Sequence, residues 1–313
     1  MNYKKYLANG IQVSELGFGA WQLGIDSSWK TVDDKEADSM IHTALDNGIN
    51  FFDTAPNYGN GTSEMRLGKV FKSLDRTKIV INTKFGRLDD GTVDFDAKHI
   101  RGSIEKSLQR LKVDYLDSAI IHSPPLALLD GNKNDHYAVL EKLQDEGKII
   151  AYGASIDFYD EIKLFVETTN AKVIQPLFNI FHQDAKRAFD LTKENEVALI
   201  AKIPFDSGWL TGKYDANSQF EGVRARWSHE DKAVRAALVE KVRHIIEDRY
   251  SFPQAALSFC TAYDAISTVI PGAVSTQQLR NNIKAISHPL DEDTRKLFED
   301  LYTNEVKELN LPW

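Results

Sequence analysis

Four residues suited to proton transfer stand at or just beyond the ends of short apolar runs. Asp53 closes Ile49-Asn50-Phe51-Phe52-Asp53, and Tyr58 follows across the turn signals Pro56-Asn57 and Gly59-Asn60-Gly61. Lys84 closes Ile79-Val80-Ile81-Asn82-Thr83-Lys84, and His122 closes Leu116-Asp117-Ser118-Ala119-Ile120-Ile121-His122 ahead of Ser123-Pro124-Pro125. Singly, each has an ordinary explanation: a turn aspartate, a paired or solvated lysine, a histidine satisfied in a turn. Together they make a proton-donating set. An ammonium at Lys84 near the Tyr58 hydroxyl favours the phenolate and is expected to lower the tyrosine pKa from about 10. Asp53 would keep Lys84 charged and oriented, and His122 would hydrogen-bond a carbonyl oxygen beside Tyr58. Such a set suits reduction of a carbonyl group. A Schiff-base aldolase with Lys84 as nucleophile competes, but Asp53 as its ion partner argues against it.

These residues work together only if the chain brings the run ends to one rim. Apolar runs at Leu16–Trp21, Ile49–Asp53, Ile79–Lys84, Tyr115–His122, Ile149–Ser155, Val173–Pro176, Val197–Lys202 and Thr268–Ile270 read as strands. Helices fit between them, near Asp33–Leu45, Thr62–Ser73, Asp96–Lys112, Asp135–Glu146, Asp160–Thr168, Asp184–Glu194 and Thr276–Ala285. Asp96–Lys112 is the clearest, with Ile100, Ile104, Leu108 and Leu111 on one face. Eight strands alternating with helices predict a closed (β/α)8 TIM barrel, whose strand C-termini gather the chemistry. The competing doubly wound sheet lacks its fingerprint, because Gly17-Phe18-Gly19-Ala20-Trp21-Gln22 has no third glycine. Lys4–Leu7 and Ile11–Val13 around Asn9-Gly10 predict an N-terminal β-hairpin. The long interval between Lys202 and Thr268 should hold a surface loop (Gly212–Ser228) and helices at Glu230–Glu247 and Pro253–Tyr263. Asp291–Leu309 should add a C-terminal helix. No linker divides residues 1–313, so one domain is expected.

Composition sets the class of partner. The 313 residues carry 38 basic and 46 acidic side chains, a net charge of −8, which disfavours nucleic acid or an anionic membrane as the main partner. A single cysteine, Cys260, allows no internal disulfide and fits a reducing cytoplasm, and no apolar run is long enough to span a bilayer. The histidines show no H-x-H or H-E-x-x-H spacing, so no metal is expected.

At this point the chain resembles the aldo-keto reductase superfamily over nearly its whole length. The matching stretches include Leu16-Gly17-Phe18-Gly19, Phe52-Asp53-Thr54-Ala55-Pro56-Asn57-Tyr58-Gly59, Thr83-Lys84-Phe85-Gly86, Ile121-His122-Ser123-Pro124, Gly153-Ala154-Ser155, Gln175-Pro176-Leu177-Phe178-Asn179 and Ile270-Pro271-Gly272-Ala273. The resemblance implies a catalytic tetrad of Asp53, Tyr58, Lys84 and His122, with Tyr58 donating the proton while NAD(P)H delivers a hydride to an aldehyde or ketone. It also implies nicotinamide contacts at Ser155 and Gln175. Pyrophosphate and adenosine contacts are implied in the loop Lys202–Leu210 (Lys202, Pro204, Ser207, Gly208, Leu210) and in the segment Gly272–Asn282 (Gly272, Gln278, Asn282).

Three departures stand out. Ile156 replaces the frequent asparagine after Ser155, Lys202 takes the place of a stacking tyrosine, and Val274 and Ser275 stand where many members carry a cation for the 2′-phosphate. Arg280 and Lys284 lie nearby. NADPH is the expected cofactor and NADH the alternative. Trp21 and Phe85, with Trp209 or Trp227 further along, are the expected substrate walls. The competing reading from another class is a nucleotide-binding regulatory or sensor barrel without turnover. The expected partner is a small carbonyl compound, and the oligomeric state is left open.

Overall fold

The computed structural model describes residues 1–24, 32–309 and 311–312. Among them, β1 (Tyr3–Lys5) and β2 (Gln12–Ser14) pair antiparallel as the hairpin. Eight further strands follow: β3 (Phe18–Gly19), β4 (Phe51–Asp53), β5 (Val80–Phe85), β6 (Leu116–Ile121), β7 (Ile149–Ala154), β8 (Val173–Ile174), β9 (Ala198–Lys202) and β10 (Ile266–Ile270). Each pairs parallel with the next along the chain, from β3 through β10. The first and last close on each other. Gly17 N donates to Val269 O at 2.8 Å and Val269 N to Glu15 O at 2.9 Å, with parallel bridges Leu16–Val269 and Gly19–Gly272. The expected (β/α)8 barrel is therefore what the chain forms, and sequential parallel strands leave the crossovers to helices.

The helices are α1 (Asp34–Asp46), α2 (Thr62–Phe71), α3 (Ala97–Leu111), α4 (His136–Asp145), α5 (Tyr159–Thr168), α6 (Phe189–Glu194), α7 (His229–Ile246), α8 (Phe252–Thr261), α9 (Thr276–Ile286) and α10 (Glu292–Leu301). Their starts follow local chemistry. The Asp96 carboxylate accepts from Lys98 N at the head of α3, and Ser228 and Ser251 cap α7 and α8 with reciprocal partners Asp231 and Gln254. Ile100, Ile104 and Leu111 of α3 are buried as their spacing demands.

Several boundaries differ from the sequence reading. The expected helix Asp184–Glu194 divides into a 3₁₀ turn (Asp184–Ala188) and α6. The C-terminal helix stops at Leu301 and continues as looser turns to Leu309, where Thr303 and Asn304 are weak helix formers. β3 and β8 are two residues each. Proline at Pro176 has no N–H for the ladder, which ends β8 early.

Two apolar layers result. The inner one fills the barrel, with Phe51, Val80, Ile120, Val173, Ile200 and Ile270 packed above Tyr6, Leu7 and Val13 of the hairpin region. The hairpin is thus a plug for the end of the barrel opposite the strand C-termini. The outer layer lies between strands and helices and takes in Trp209, Trp227 and Cys260. Among the described residues, no helix is long and apolar enough to cross a membrane.

The closing seam depends on missing side chains. A Cβ on Gly17 would sit 2.8 Å from Phe51 Cδ1 and 2.9 Å from Thr268 Oγ1, and one on Gly19 would sit 2.9 Å from Ile270 O. Gly17→Ala should therefore overpack the seam and lower unfolding free energy by about 1–3 kcal/mol. Denaturant titration checks it: a midpoint within error of the wild type would show that the seam yields freely.

Candidate active site

β4, β5 and β6 lie side by side, and their register places Asp53 opposite Asn82 and Asn82 opposite Ser118. Strand alternation points Asp53, Asn82, Lys84 and Ser118 into the barrel. The Lys84 ammonium donates to Asp53 Oδ1 at 2.9 Å, to Asp53 Oδ2 at 2.8 Å and to Thr54 O at 2.9 Å. Both side chains are almost sealed from solvent, at 1% and 4% exposure. Asp53 Oδ1 also accepts from Asn82 Nδ2 and Gln175 Nε2, each at 2.7 Å. Burial alone would push the ammonium pKa down. The Asp53 carboxylate and the Tyr58 hydroxyl more than offset it, so Lys84 sits above the usual lysine value and stays charged.

Tyr58 reaches this pair from the loop after β4. Asn60, Gly59 and Gly61 are all left-handed (φ 53°, 63° and 80°), which turns the chain back within four residues of the tyrosine. Gly61 N then donates to Pro56 O, and Ser63 N donates to Tyr58 O. Ser63 Oγ donates to Ala20 O, so Thr54 Oγ1 donates to Ser63 and fastens the loop to the start of α2. Lys84 Nζ lies 5.0 Å from the Tyr58 ring centre, and the His122 ring meets Tyr58 edge to face, 6.0 Å between centres. The four residues read from sequence are therefore together.

Their electrostatics correct one expectation. Burial raises the Tyr58 pKa above its ordinary value, and the opposing pull of Lys84 does not overcome it. The phenol is a protonated donor at neutral pH rather than a near-phenolate. Burial, with Lys84, Lys202 and Arg87 adding to it, holds His122 well below the ordinary histidine value. The imidazole is neutral, and its buried Nδ1 has no hydrogen-bond partner.

The residues read as cofactor contacts ring the same strand ends. Ser155 Oγ donates to Gln175 O at 3.3 Å and accepts from Lys202 Nζ at 2.9 Å. Lys202 also pairs with Asp157 Oδ1 at 2.9 Å. Ile156 is buried in the outer apolar layer. After Pro204 the chain carries Asp206, Ser207 and Gly208 at positive φ before the buried Leu210. Gly272 lies at the seam, where an added Cβ would meet the Gln22 side chain at 2.1 Å. Ser275 caps α9, Gln278 Oε1 accepts from Val274 N, and Asn282 is buried. Three buried polar atoms without partners, Gln22 Oε1, Asn57 Oδ1 and His122 Nδ1, lie just beyond β3, β4 and β6. A polar group bound at this rim would satisfy them, so the residues present fit a nicotinamide nucleotide.

The expected walls fare differently. Trp21 follows β3 and is half-buried near the rim. Phe85 follows Lys84 and so faces the helices, buried in the outer layer. Trp209 and Trp227 pack on each other and on Phe220 as core. Missed by the sequence reading are Arg87, whose Nε donates to His122 O at 3.4 Å, and three exposed apolar side chains, Val93, Leu126 and Phe158. All four lie on the loops after β5, β6 and β7. Charge and hydrophobicity alone could not distinguish them from ordinary surface residues before the loops were placed.

Fold and site define a parallel (β/α)8 barrel carrying a buried Asp–Lys pair, a protonated tyrosine and a neutral histidine at its strand C-termini. The Aldo/keto reductase family model matches residues 15–303, and the chain belongs to that family of oxidoreductases. It is 31% identical to L-galactose dehydrogenase of Arabidopsis thaliana over 97% of this chain and 94% of the relative. It is 26% identical to the NADH-specific methylglyoxal reductase of Escherichia coli (93% and 95% covered). Among solved structures, the holo form of an aldo-keto reductase from Bacillus halodurans superposes with a TM-score of 0.82 at 25% identity, covering 100% of both chains.

The depressed His122 pKa carries a stability consequence. The unfolded chain takes up a proton at this residue near pH 6.5, whereas the folded chain does so only at much lower pH. Stability is therefore unaffected by this group above that value and is lost as pH falls through it. Unfolding free energies measured at pH 7.5 and 5.5 should drop more for the wild type than for His122→Gln; equal drops would show that His122 does not resist protonation.

Proposed function

We propose that the chain is a nicotinamide-dependent carbonyl reductase in which Tyr58 gives the proton to the substrate oxygen. The observation that carries this reading is the buried Lys84 ammonium, locked on Asp53, under a phenol that burial keeps protonated. When bound, a reduced nicotinamide supplies the hydride. Ser155 and Gln175 would hold its carboxamide, Ser207, Gly208 and Leu210 the pyrophosphate, and Gln278 and Asn282 the adenosine. As negative charge moves onto the tyrosine oxygen, Lys84 lies close enough to stabilise it, in a site largely shielded from water. The neutral His122 hydrogen-bonds the carbonyl oxygen and does not compete as an acid.

The adenosine end supports NADH over the NADPH expected from sequence. Thr276 N, at the start of α9, donates to the Glu36 carboxylate, so an anion already occupies the position a 2′-phosphate would want. Arg280 and Lys284 do not offset it. They line a groove of about 640 Å³ with Met1, Asn2 and Glu15 on the hairpin side. The rim supports one substrate class. Arg87 beside His122, with Val93, Leu126 and Phe158 outside, fits small oxygen-rich aldehydes, and the similar proteins include enzymes named for galactose and methylglyoxal.

Tyr58→Phe should lower kcat/KM for aldehyde reduction by at least about 100-fold while nucleotide affinity, read by fluorescence, stays within about twofold. Full activity in this variant removes Tyr58 as donor. Tight nucleotide binding with no turnover across aldoses and 2-oxoaldehydes would instead make the wild type a nucleotide-binding sensor. Glu36→Gln should raise the NADPH to NADH ratio of kcat/KM about threefold. An unchanged ratio would place the 2′ position elsewhere.

A further inference from the structure

The Asp53–Lys84 pair is tied to the opposite end of the barrel by side chains the proposed reaction does not use. Asp53, Asn82 and Ser118 occupy one rung across β4, β5 and β6. Asn82 Nδ2 lies 2.7 Å from Asp53 Oδ1, Ser118 Oγ lies 2.6 Å from Asn82 Oδ1, and the Tyr6 hydroxyl lies 2.6 Å from Ser118 Oγ. All four residues are buried. Tyr6 enters from the hairpin side, its ring edge-on to Phe51 at 5.3 Å.

The direction of every proton in this chain follows from its last member. An ionised carboxylate only accepts, so the Asn82 atom facing Asp53 is the amide nitrogen. The amide oxygen then faces Ser118, which must donate its single hydroxyl proton there. With that proton committed, the Ser118 oxygen accepts from Tyr6, whose hydroxyl has to be the donor. Successive donors aligned one way polarise each other, and their effect accumulates on the terminal acceptor.

We propose that Tyr6, Ser118 and Asn82 are positioning residues whose one-way hydrogen-bond chain sets how strongly Asp53 holds the Lys84 ammonium. The inference rests on the reading of Lys84 as the group that acts on Tyr58. Donors on Asp53 stabilise its charged form and share out its negative charge. Lys84 is then gripped less tightly by Asp53 than by a bare carboxylate and remains available to the phenol. Asp53 accepts from Lys84, Asn82 and Gln175; the titratable groups whose charge couples to it besides Lys84 are Tyr58 and Tyr6, and His122 meets Tyr58 edge to face. Burial raises the Tyr6 pKa well above the ordinary value, which keeps this first donor protonated at any working pH.

The test uses the full chain with Tyr6→Phe, Ser118→Ala and Ser118→Thr. Tyr6→Phe keeps the ring packing and removes one donor. It should lower kcat for aldehyde reduction about fivefold, and Ser118→Ala about tenfold, while KM for the nucleotide stays within about twofold. In both variants the acid limb of the pH–rate profile should move, because an Asp53 deprived of donors holds the Lys84 ammonium more tightly. Ser118→Thr, which retains a hydroxyl, should restore most of the rate and the limb. The γ-carboxylate ¹³C resonance of Asp53, assigned with Asp53→Asn, should shift in Tyr6→Phe and Ser118→Ala and return in Ser118→Thr. Because that signal is read without turnover, its shift would uphold the chain even if no aldehyde is reduced. A wild type that reduces aldehydes through Tyr58, joined to an unmoved resonance and acid limb in both variants, overturns the chain alone. Lost thermal stability with no change in limb or resonance would overturn it equally, by assigning these residues a structural role only.

Discussion

The buried ion pair of Asp53 and Lys84 is the constraint to which the centre of the barrel answers. Removing two charges from water costs several kcal/mol for each ion, and their attraction repays this only with good geometry and fully used hydrogen-bonding capacity. Both conditions are met. Lys84 donates to both oxygens of Asp53 and to Thr54 O, and Asp53 collects further donors from Asn82 and Gln175. Those partners come from strands β4, β5 and the end of β8. The pair therefore exists only when the barrel is closed. A hydrophobic replacement would pack more cheaply, so retaining two charges here is better explained by the chemistry proposed for the rim than by stability.

The same low-polarity surroundings assign different protonation states to the neighbours of this pair. Desolvation always disfavours the charged form. It therefore raises the pKa of the Tyr58 phenol and lowers that of the His122 imidazole, leaving both neutral beside the Lys84 ammonium. Lys84 adds to the effect on His122 and opposes it on Tyr58. Charge alone, read from the sequence, suggested an acidified tyrosine. Burial outweighs that pull because the lysine's charge is already largely balanced by Asp53. Under the proposed function this arrangement is useful: the donor keeps its proton in the resting site, and the stabilising cation acts as charge develops.

The barrel was legible because strand and helix periodicities alternate along the chain apart from the long interval before the last strand, and the four rim residues because each stands at or just beyond the end of a strand of that pattern. Strand parity held further information. Asn82 shares the parity of Lys84 two residues on, and a polar side chain there must face the barrel interior; the same argument places Ser118 inside and Phe85 outside. Parity within one strand does not give register between strands, so the rung of Asp53, Asn82 and Ser118 emerged only from the paired structure. The contacts that join residues far apart in the chain were equally hidden. Glu36 at the start of α9 and Tyr6 on Ser118 depend on how the hairpin and helices close around the sheet.

Rigidity and strain are divided between the two sides of the rim. On the side of β4 to β6, positive φ falls on Gly59, Asn60, Gly61, Gly86, Gly91 and Ser123, all outside the strands, and the Asp53–Lys84 pair is held by direct hydrogen bonds. On the side of β9, Ile203, Asp206 and Ser207 are all left-handed, with φ of 56°, 44° and 54°. A β-branched residue in that region costs about 1–3 kcal/mol and persists only where its surroundings over-determine it. Here Asn179 Nδ2 donates to Ile203 O at 2.9 Å, and Arg235 Nε donates to Asp206 Oδ2 at 3.0 Å in a fully buried pair. The strain thus sits in the loop proposed to clasp the nucleotide, anchored from beneath by α7. Proton transfer demands fixed distances, whereas a reductase must release one nucleotide and admit another in every cycle. Under the proposed function, a rigid acid beside a strained clasp would meet both demands within one barrel.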